Sequence, residues 1–191
     1  MKAVLVDVVE GVAVTLPDTA VERAPLREDL IGRPVVAYLP DCAGGCDVSV
    51  CLAVRVSGAC KALEECFALR YINGVALALL VSPCGMLSGV RAGVLLHDGA
   101  VQLAPWSDVD GITGDNLLVT TLGGYSAMLP WNDVPKAMSV ASRQMTLRTG
   151  DVVLVKVAEL PAVHCLPATA ATRYTTVAAS TPTMSVAKRF K

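Results

Sequence analysis

Cysteine is the residue type in this sequence whose spacing first suggests chemistry. Cys42, Cys46 and Cys51 follow a C-x3-C-x4-C pattern, which is a candidate for zinc binding through thiolates. A structural zinc site takes four ligands, commonly a C-x2-C pair followed by a second pair further along the chain. Neither His97 nor His164 stands in such a pair, so we interpret these cysteines as small apolar core residues.

Two glycine pairs, Gly44-Gly45 and Gly123-Gly124, are the candidates for a phosphate-binding loop. A P-loop continues into G-K-S/T, and a dinucleotide-binding loop joins a strand to a helix. Neither pair has these neighbours in the sequence. We therefore interpret both pairs as tight turns.

The composition narrows the class of protein. The chain has 191 residues, 53% of them apolar, which is enough for one domain with a sizeable core. Sixteen Lys and Arg against 17 Asp and Glu leave no electrostatic footprint for nucleic acid or an anionic membrane. Asp7 and Glu10 interrupt the first apolar run, and the seven cysteines are an odd number, so we expect a cytoplasmic protein with reduced thiols.

The residue pattern predicts two helices. The clearer one is expected at 59–71, where apolar residues are spaced by four and Asn73-Gly74 would end the helix. The second is expected at 135–143, with Asn132-Asp133 as its cap. The apolar stripe of the first helix consists of Leu63, Cys66, Phe67 and Tyr71.

Short apolar runs between turn residues predict an α+β, mostly β, single domain. Residues 71–90 carry no charge and equal a membrane span in length, but their Asn, Gly, Ser and Pro residues favour a buried strand and a turn. Residues 158–191 include five Thr between 169 and 181 and are expected to form a loosely ordered tail. Strands are predicted at 3–16 (two, around a turn), 35–39, 47–56, 75–81, 94–96, 101–103, 117–122 and 152–157.

Three segments, taken in order, resemble the core of the fumarylacetoacetate hydrolase family. Residues 50–56, the first predicted helix and residues 74–82 are similar to its "E-x-E-L-A-x-V-I-G … helix … G-x-x-x-x-N-D-V-S" core. Residues 97–106 resemble its "F-D-x-F-x-P-x-G-P-W" segment, and residues 141–153 resemble its "S-x-x-M-T-L-x-x-G-D-V" segment. The three segments keep near-family spacing across residues 47–153.

The resemblance implies a mixed β-sandwich or roll with one or two helices around one pocket, usually in a dimer. Residues 47–157 would form this core, residues 1–46 its N-terminal strands and loops, and residues 158–191 a C-terminal extension. The family cleaves carbon–carbon bonds of diketo acids, or decarboxylates, hydrates or isomerises 2-oxo acids. It holds Mg²⁺ or Mn²⁺ through the two Glu of E-x-E and a later Asp, and the cation stabilises an enolate.

This chain departs from the family at the residues that carry the chemistry. The two Glu positions fall on Ser49 and Cys51, the Asp position on Leu80, and a pocket lysine on Leu95. The "G-T-P" that commonly follows "G-D-V" is replaced within residues 154–157. Because a hydroxyl, a thiol and an isobutyl group cannot replace carboxylates, we expect no metal cofactor at these positions.

Two other arrangements stay open as candidate sites. Asp98 matches a family Asp and, with Asp47 beside the E-x-E strand, would make a relocated metal site. Alternatively, Cys51 would act as a thiolate nucleophile, with His97 or His164 as its base. Cys51, His97 and Asp98 are thus the candidate catalytic residues.

Our leading hypothesis is a divergent member of this family without the metal-dependent activity. It would bind a small organic acid, or form a homodimer or pair with a related chain. The alternative is a hydrolase, decarboxylase, hydratase or isomerase of a 2-oxo or diketo acid, using the relocated metal or Cys51. Neither hypothesis includes nucleic acid or a membrane as partner.

Overall fold

The computed structural model describes residues 2–8, 11–16, 35–37, 45–84, 101–103, 106, 108–109, 116–121, 126–159, 163–164, 173–178 and 184–190. The strands are β1 (Ala3–Asp7), β2 (Val12–Leu16), β3 (Val35–Ala37), β4 (Gly45–Val56), β5 (Ile72–Cys84), β6 (Val101–Leu103), β7 (Asn116–Thr121), β8 (Ser126–Pro130), β9 (Val152–Glu159), β10 (Val163–His164), β11 (Arg173–Ala178) and β12 (Met184–Phe190). The helices are a 3₁₀ helix (Glu65–Tyr71) and α1 (Asp133–Gln144).

The strands form two mixed sheets. The larger sheet has the order β2-β1-β9-β4-β5-β6, and β10 adds to β4. Its strands pair antiparallel except for β1 and β9, which are parallel. The smaller sheet has the order β3-β12-β11-β7-β8, with β12 and β3 parallel. The predicted α+β, mostly β, fold class is confirmed.

Alternating side chains give the larger sheet two buried faces. One face packs with α1 and includes Val4, Val54 and Val153. The opposite face, which we call the alanine-rich face, is built mostly from small residues. Its buried members are Ala3, Cys51, Ala53, Ala76, Ala78, Leu80, Val101, Leu103, Val152 and Leu154, with Leu5 and Trp106 packed against them.

Helix α1 confirms the helix predicted at 135–143. Its buried residues recur at helical spacing, among them Val134, Ala137, Met138 and Ala141. Asn132 precedes the helix as expected, but its side chain makes no capping hydrogen bond. No helix in the described part of the chain is long and apolar enough to cross a membrane.

The prediction of a helix across 59–71 is wrong in length and type. The structure has a 3₁₀ helix only at Glu65–Tyr71. Upstream, Cys60 forms an antiparallel bridge with Leu147, and Ala62 has a left-handed φ of 50°. A right-handed α-helix can include neither a strand-type bridge nor a left-handed φ. The segment before Glu65 is therefore irregular and pairs with residues that lie far away in the sequence.

The apolar stripe predicted for this helix is wrong as well. Leu63 is buried, but Cys66 is exposed and Phe67 is 42% exposed, whereas Ala68 is buried. A 3₁₀ helix has three residues per turn, so a spacing of four residues does not define one of its faces.

Asn73 and Gly74 do not end a helix but lie inside β5, which begins at Ile72. Arg55 crosses them from β4, and its Nε and Nη2 donate to the Oδ1 and main-chain O of Asn73 at 2.9 and 3.2 Å. A Cβ at Gly74 would stand 3.1 Å from Nη2 of Arg55. Gly74 therefore allows a close approach rather than a turn.

The other strand predictions are confirmed wherever the chain is described. β1 and β2 pair across a turn in which Gly11 has a φ of +64°. The runs at 35–39, 47–56, 101–103, 117–122 and 152–157 match β3, β4, β6, β7 and β9. The strand predicted at 94–96 lies outside the described residues, and β8 was not among the predicted strands.

The loosely ordered tail predicted from residue 158 onward is also wrong, because the structure has strands there. β10 pairs with β4, and β11 and β12 pair with each other. β11 also pairs with β7, and β12 with β3, so distant parts of the chain provide their partners. The threonines of this segment are typical strand residues.

Ser142, in the S-x-x-M-T-L segment, links α1 by hydrogen bonds to the segment that precedes the 3₁₀ helix. Its buried Oγ accepts a hydrogen bond from the backbone N–H of Leu63 at 2.8 Å and donates to the carbonyl of Ser139 at 2.9 Å. Its own carbonyl accepts from the N–H of Ala62 at 2.9 Å. This residue therefore satisfies the polar backbone of an irregular segment.

Asp151, in the G-D-V segment, links the N-terminus to the start of β9 through hydrogen bonds. Its carboxylate accepts hydrogen bonds from the backbone N–H of Lys2 at 3.0 Å, the Lys2 ammonium at 2.6 Å and the backbone N–H of Arg148 at 2.8 Å. Burial alone would raise the pKa of Asp151, but these hydrogen bonds outweigh it and hold the pKa below its usual value.

Candidate functional site

Strand pairing brings together three positions that the resemblance assigns to metal ligands. Ser49 and Cys51 are two residues apart on β4, so their side chains point to the same side of the sheet. Leu80 on β5 stands directly opposite Ser49, and Ala78 stands opposite Cys51. All four residues are buried, and they form one end of the alanine-rich face.

Cys51 lies at the centre of this group with none of its surface exposed. Burial raises the pKa of the Cys51 thiol to about 12, although the positive charge of Lys156 acts in the opposite direction. The thiol therefore keeps its proton at neutral pH. A protonated thiol is a poor nucleophile, so this geometry does not favour Cys51 as the reacting group.

Lys156 and Asp7 place charges beside Cys51. Lys156 stands opposite Cys51 in the pairing of β9 with β4. It follows Val152 and Leu154 by even steps along β9, and Asp7 follows Ala3 by even steps along β1, so both share the alanine-rich face.

The Lys156 ammonium lies 3.6 Å from the Asp7 carboxylate, and the two side chains are 25% and 31% exposed. Neither residue is among the candidates that the sequence suggests. The signal that could have found Lys156 is a single charge in the apolar run 152–157, at the same parity as two core residues.

The register of β4 with β9 shifts between Val50 and Cys51. An irregularity of this kind re-aims the side chains beside it and is common near functional sites. It lies where the charged residues of β1 and β9 meet the buried thiol. The backbone irregularity and the charged side chains of Asp7 and Lys156 therefore occur at the same place in the sheet.

Arg55 and Trp106 occupy the other end of the alanine-rich face. The Arg55 guanidinium lies over the Trp106 ring, 5.1 Å from its centroid. Trp106 is half-buried against the face, and Arg55 is held by Asn73. This stacked pair covers the apolar surface between β4 and β5.

No protein-family model and no curated protein matches this sequence. Solved structures do match its fold. A fumarylacetoacetate hydrolase family protein from Yersinia pestis CO92 is 21% identical with a TM-score of 0.70, covering 100% of this chain and 93% of that one. This chain has a fumarylacetoacetate hydrolase-like fold.

Two structures with enzyme names also share this fumarylacetoacetate hydrolase-like fold. Maleylpyruvate hydrolase from Sphingobium sp. SYK-6 is 16% identical with a TM-score of 0.69, over 100% of this chain and 70% of that one. A further structure of that enzyme contains manganese(II) and pyruvate. A 5-carboxymethyl-2-hydroxymuconate delta-isomerase from Mycobacterium smegmatis is 19% identical with a TM-score of 0.68, over 100% and 77%.

The Mg²⁺ or Mn²⁺ implied by the fumarylacetoacetate hydrolase-like fold does not fit the residues at these positions. Such hard cations take oxygen ligands, chiefly carboxylates. Ser49 offers a nearly buried hydroxyl, Cys51 a protonated thiol, and Leu80 no donor atom. Across the described ranges, no group of three or more His, Cys, Asp or Glu side chains could hold a metal ion.

The remaining sequence candidates lie outside the described residues, at the exposed start of β4, or opposite Gly45. Leu95, His97 and Asp98 lie outside the described residues, so their roles stay predictions. Asp47 is exposed on β4, opposite Ser82.

His164 is paired with Gly45 rather than with the residues near Cys51. Cys51 is six residues further along β4 than Gly45, which is about 20 Å. A base must lie within hydrogen-bonding reach of the thiol that it activates. The position of His164 therefore does not favour it as a base for Cys51.

Proposed function

We propose that this chain is a hydrolase or isomerase of a small 2-oxo or diketo acid, and that the acid binds on the alanine-rich face beside Ser49, Cys51 and Leu80. The observation that carries the proposal is that these positions meet on one buried face of a fumarylacetoacetate hydrolase-like sheet. Maleylpyruvate hydrolase and the delta-isomerase, which have the same fold, act on acids of this class.

The chemistry of this face favours a small acid with an apolar body. Alanine, valine and leucine side chains form most of its walls, and the charged groups beside them include Asp7 and Lys156 at one end and Arg55 at the other. A 2-oxo acid has a carboxylate and carbonyl at one end and a carbon chain at the other. Apolar walls with few polar groups are typical of small-molecule sites.

A second candidate function is acid binding without turnover, in a homodimer or a pair with a related chain. The observation that favours it is the chemistry at the ligand positions, where a protonated thiol and an isobutyl group stand. A chain that kept the pocket and lost the reacting groups would still bind the acid. Light scattering would test the dimer, which has twice the chain mass of 19.9 kDa.

The decisive experiment offers the protein oxaloacetate and acetylpyruvate, with chelator in one series and added Mn²⁺ in the other. Loss of the enol absorbance and product formation by NMR would support the enzymatic function. Saturable binding of oxalate without turnover would support the second candidate. Neither turnover nor oxalate binding in either series would contradict the assignment of an oxo-acid ligand.

A further inference from the structure

Lys156 occupies an unusual position for a lysine. It stands within an apolar strand, next to the central strand β4 and directly opposite a fully buried residue, Cys51. Adjacent strands are about 4.8 Å apart, so the lysine stem runs beside the thiol and its ammonium extends towards Asp7. Lysine is seldom buried unless it is paired, and Lys156 forms an ion pair with Asp7 at this place.

The positive charge of Lys156 affects the buried residues of the candidate site. It opposes the effect of burial on the pKa of Cys51, so its field reaches the thiol. A charge in a partly buried position interacts more strongly than one in water. An anion at this end of the face would therefore be attracted to the Lys156 ammonium.

The ion pair of Lys156 with Asp7 is longer than the two others among the described residues. Its atoms are 3.6 Å apart, against 2.6 Å for Lys2 with Asp151 and 2.7 Å for Lys136 with Asp133. A charge-assisted N–H···O bond is normally 2.7–2.9 Å long. The Asp7 carboxylate therefore stands beside the Lys156 ammonium in a longer ion pair.

We infer that the Lys156 ammonium binds the carboxylate of the organic acid and supplies the positive charge that the resemblance assigns to Mg²⁺ or Mn²⁺. This inference rests on the proposed oxo-acid ligand. An ammonium needs no carboxylate ligands, so it is compatible with Ser49, Cys51 and Leu80 where a hard cation is not. Asp7 orients the lysine and lowers the net charge of the site when no acid is bound.

The test is calorimetric titration of oxalate into chelator-treated protein. The wild type should bind oxalate without metal, and the affinity should fall as salt rises. Lys156→Met keeps the length of the side chain and removes its charge, so it should weaken oxalate binding by about tenfold or more. Lys156→Arg should restore most of the affinity. Lys136→Met removes an ion-paired lysine on α1 and should bind oxalate like the wild type.

The outcomes separate this inference from the proposed function. Wild-type binding that is unchanged by Lys156→Met, or that needs Mn²⁺, would overturn the role of Lys156 and leave the oxo-acid ligand standing. Absence of oxalate binding both with and without Mn²⁺ would overturn both. Where Lys156→Met fails to fold, Asp7→Asn carries the test, because removal of the opposing charge should tighten oxalate binding. Unchanged or weaker binding by Asp7→Asn would overturn the inference.

Discussion

Burial determines the chemistry available to Cys51 and Lys156 at this end of the alanine-rich face. Cys51 is fully buried and protonated at neutral pH, whereas Lys156 beside it keeps a quarter of its side chain exposed. The two residues therefore offer a neutral thiol and a cation rather than a thiolate and a base. Recognition of an anion suits this combination better than nucleophilic attack.

The raised pKa of Cys51 predicts that its thiol is inert in the folded protein. Treated with iodoacetamide at pH 8, the native protein should be alkylated at the exposed Cys66 and left unmodified at Cys51. Mass spectrometry of the digested protein measures both sites in one sample. Urea should make the two cysteines equally reactive. Alkylation of native Cys51 at the rate of Cys66 would revive the nucleophile hypothesis.

Ser142 and Ser139 form a matched pair of buried serines on α1. Ser142→Ala removes the acceptor of the Leu63 N–H, so we expect unfolding in urea to show a loss of about 1–3 kcal/mol. The Ser139 hydroxyl has no hydrogen-bond partner among the described residues, so Ser139→Ala should be neutral or slightly stabilising. Equal losses for the two variants would contradict the assigned role of Ser142.

At the scale of elements, the strands follow from local composition and the helix before β5 does not. Runs rich in Val and Leu form strands when neighbouring strands pair with them. The bounds of β4, β5 and β9 are accordingly close to the predicted ranges. The segment before Glu65 has a helical apolar spacing, yet Cys60 pairs with Leu147. That contact joins residues far apart in the chain, so a local pattern cannot reveal it.

The junction of β1 and β9 should depend on pH through Asp151. Its pKa is lower in the folded protein than in the unfolded chain, so the ionised carboxylate stabilises the fold. This contribution is complete above the unfolded pKa, near 4, and is lost as the pH falls through the folded pKa. Thermal unfolding between pH 7 and pH 2 should show the loss.

Asp151→Asn should remove most of this low-pH dependence. We expect it to cost about 3 kcal/mol at pH 7, because the Lys2 ammonium and two backbone N–H groups lose a charged acceptor. Asp108→Asn, at an exposed aspartate, is the control and should change little. A variant that keeps the wild-type pH profile would show that other groups dominate the acid response.

At the scale of the whole molecule, both sheets are completed by strands from distant parts of the chain. β1 joins β9 in the larger sheet, and β12 joins β3 in the smaller one. The larger sheet thereby brings Asp7 from the N-terminus beside Lys156 and the centre of β4. The candidate site is therefore a product of topology rather than of one sequence segment.

Restoring carboxylates at Ser49, Cys51 and Leu80 tests whether these residues stand at the family's metal-ligand positions. The triple variant Ser49→Glu, Cys51→Glu, Leu80→Asp should acquire affinity for Mn²⁺, because neighbouring strands hold the three positions on one face. Calorimetric titration of Mn²⁺ into the variant measures this gain. Leu80→Asp alone should destabilise the protein by several kcal/mol, about 3 or more, since it buries an unpaired carboxylate.

The matched control is Ser49→Gln, Cys51→Gln, Leu80→Asn, which has nearly the same shape without the charges. It should fold at least as well as the carboxylate variant and show no gain in Mn²⁺ affinity. A folded carboxylate variant that ignores Mn²⁺ would mean that the family positions are assigned to the wrong residues.

The fold class, most strand positions, α1 and the departures at Ser49, Cys51 and Leu80 can be predicted from the sequence alone, because side-chain period and residue type are local properties. Three features appear only in the folded chain: Leu80 stands opposite Ser49, residues 158–191 contribute strands, and Asp7 meets Lys156. These features depend on pairing between segments far apart in the chain. Register and burial, which set the Cys51 pKa and the reach of Lys156, arise only when those segments pack together.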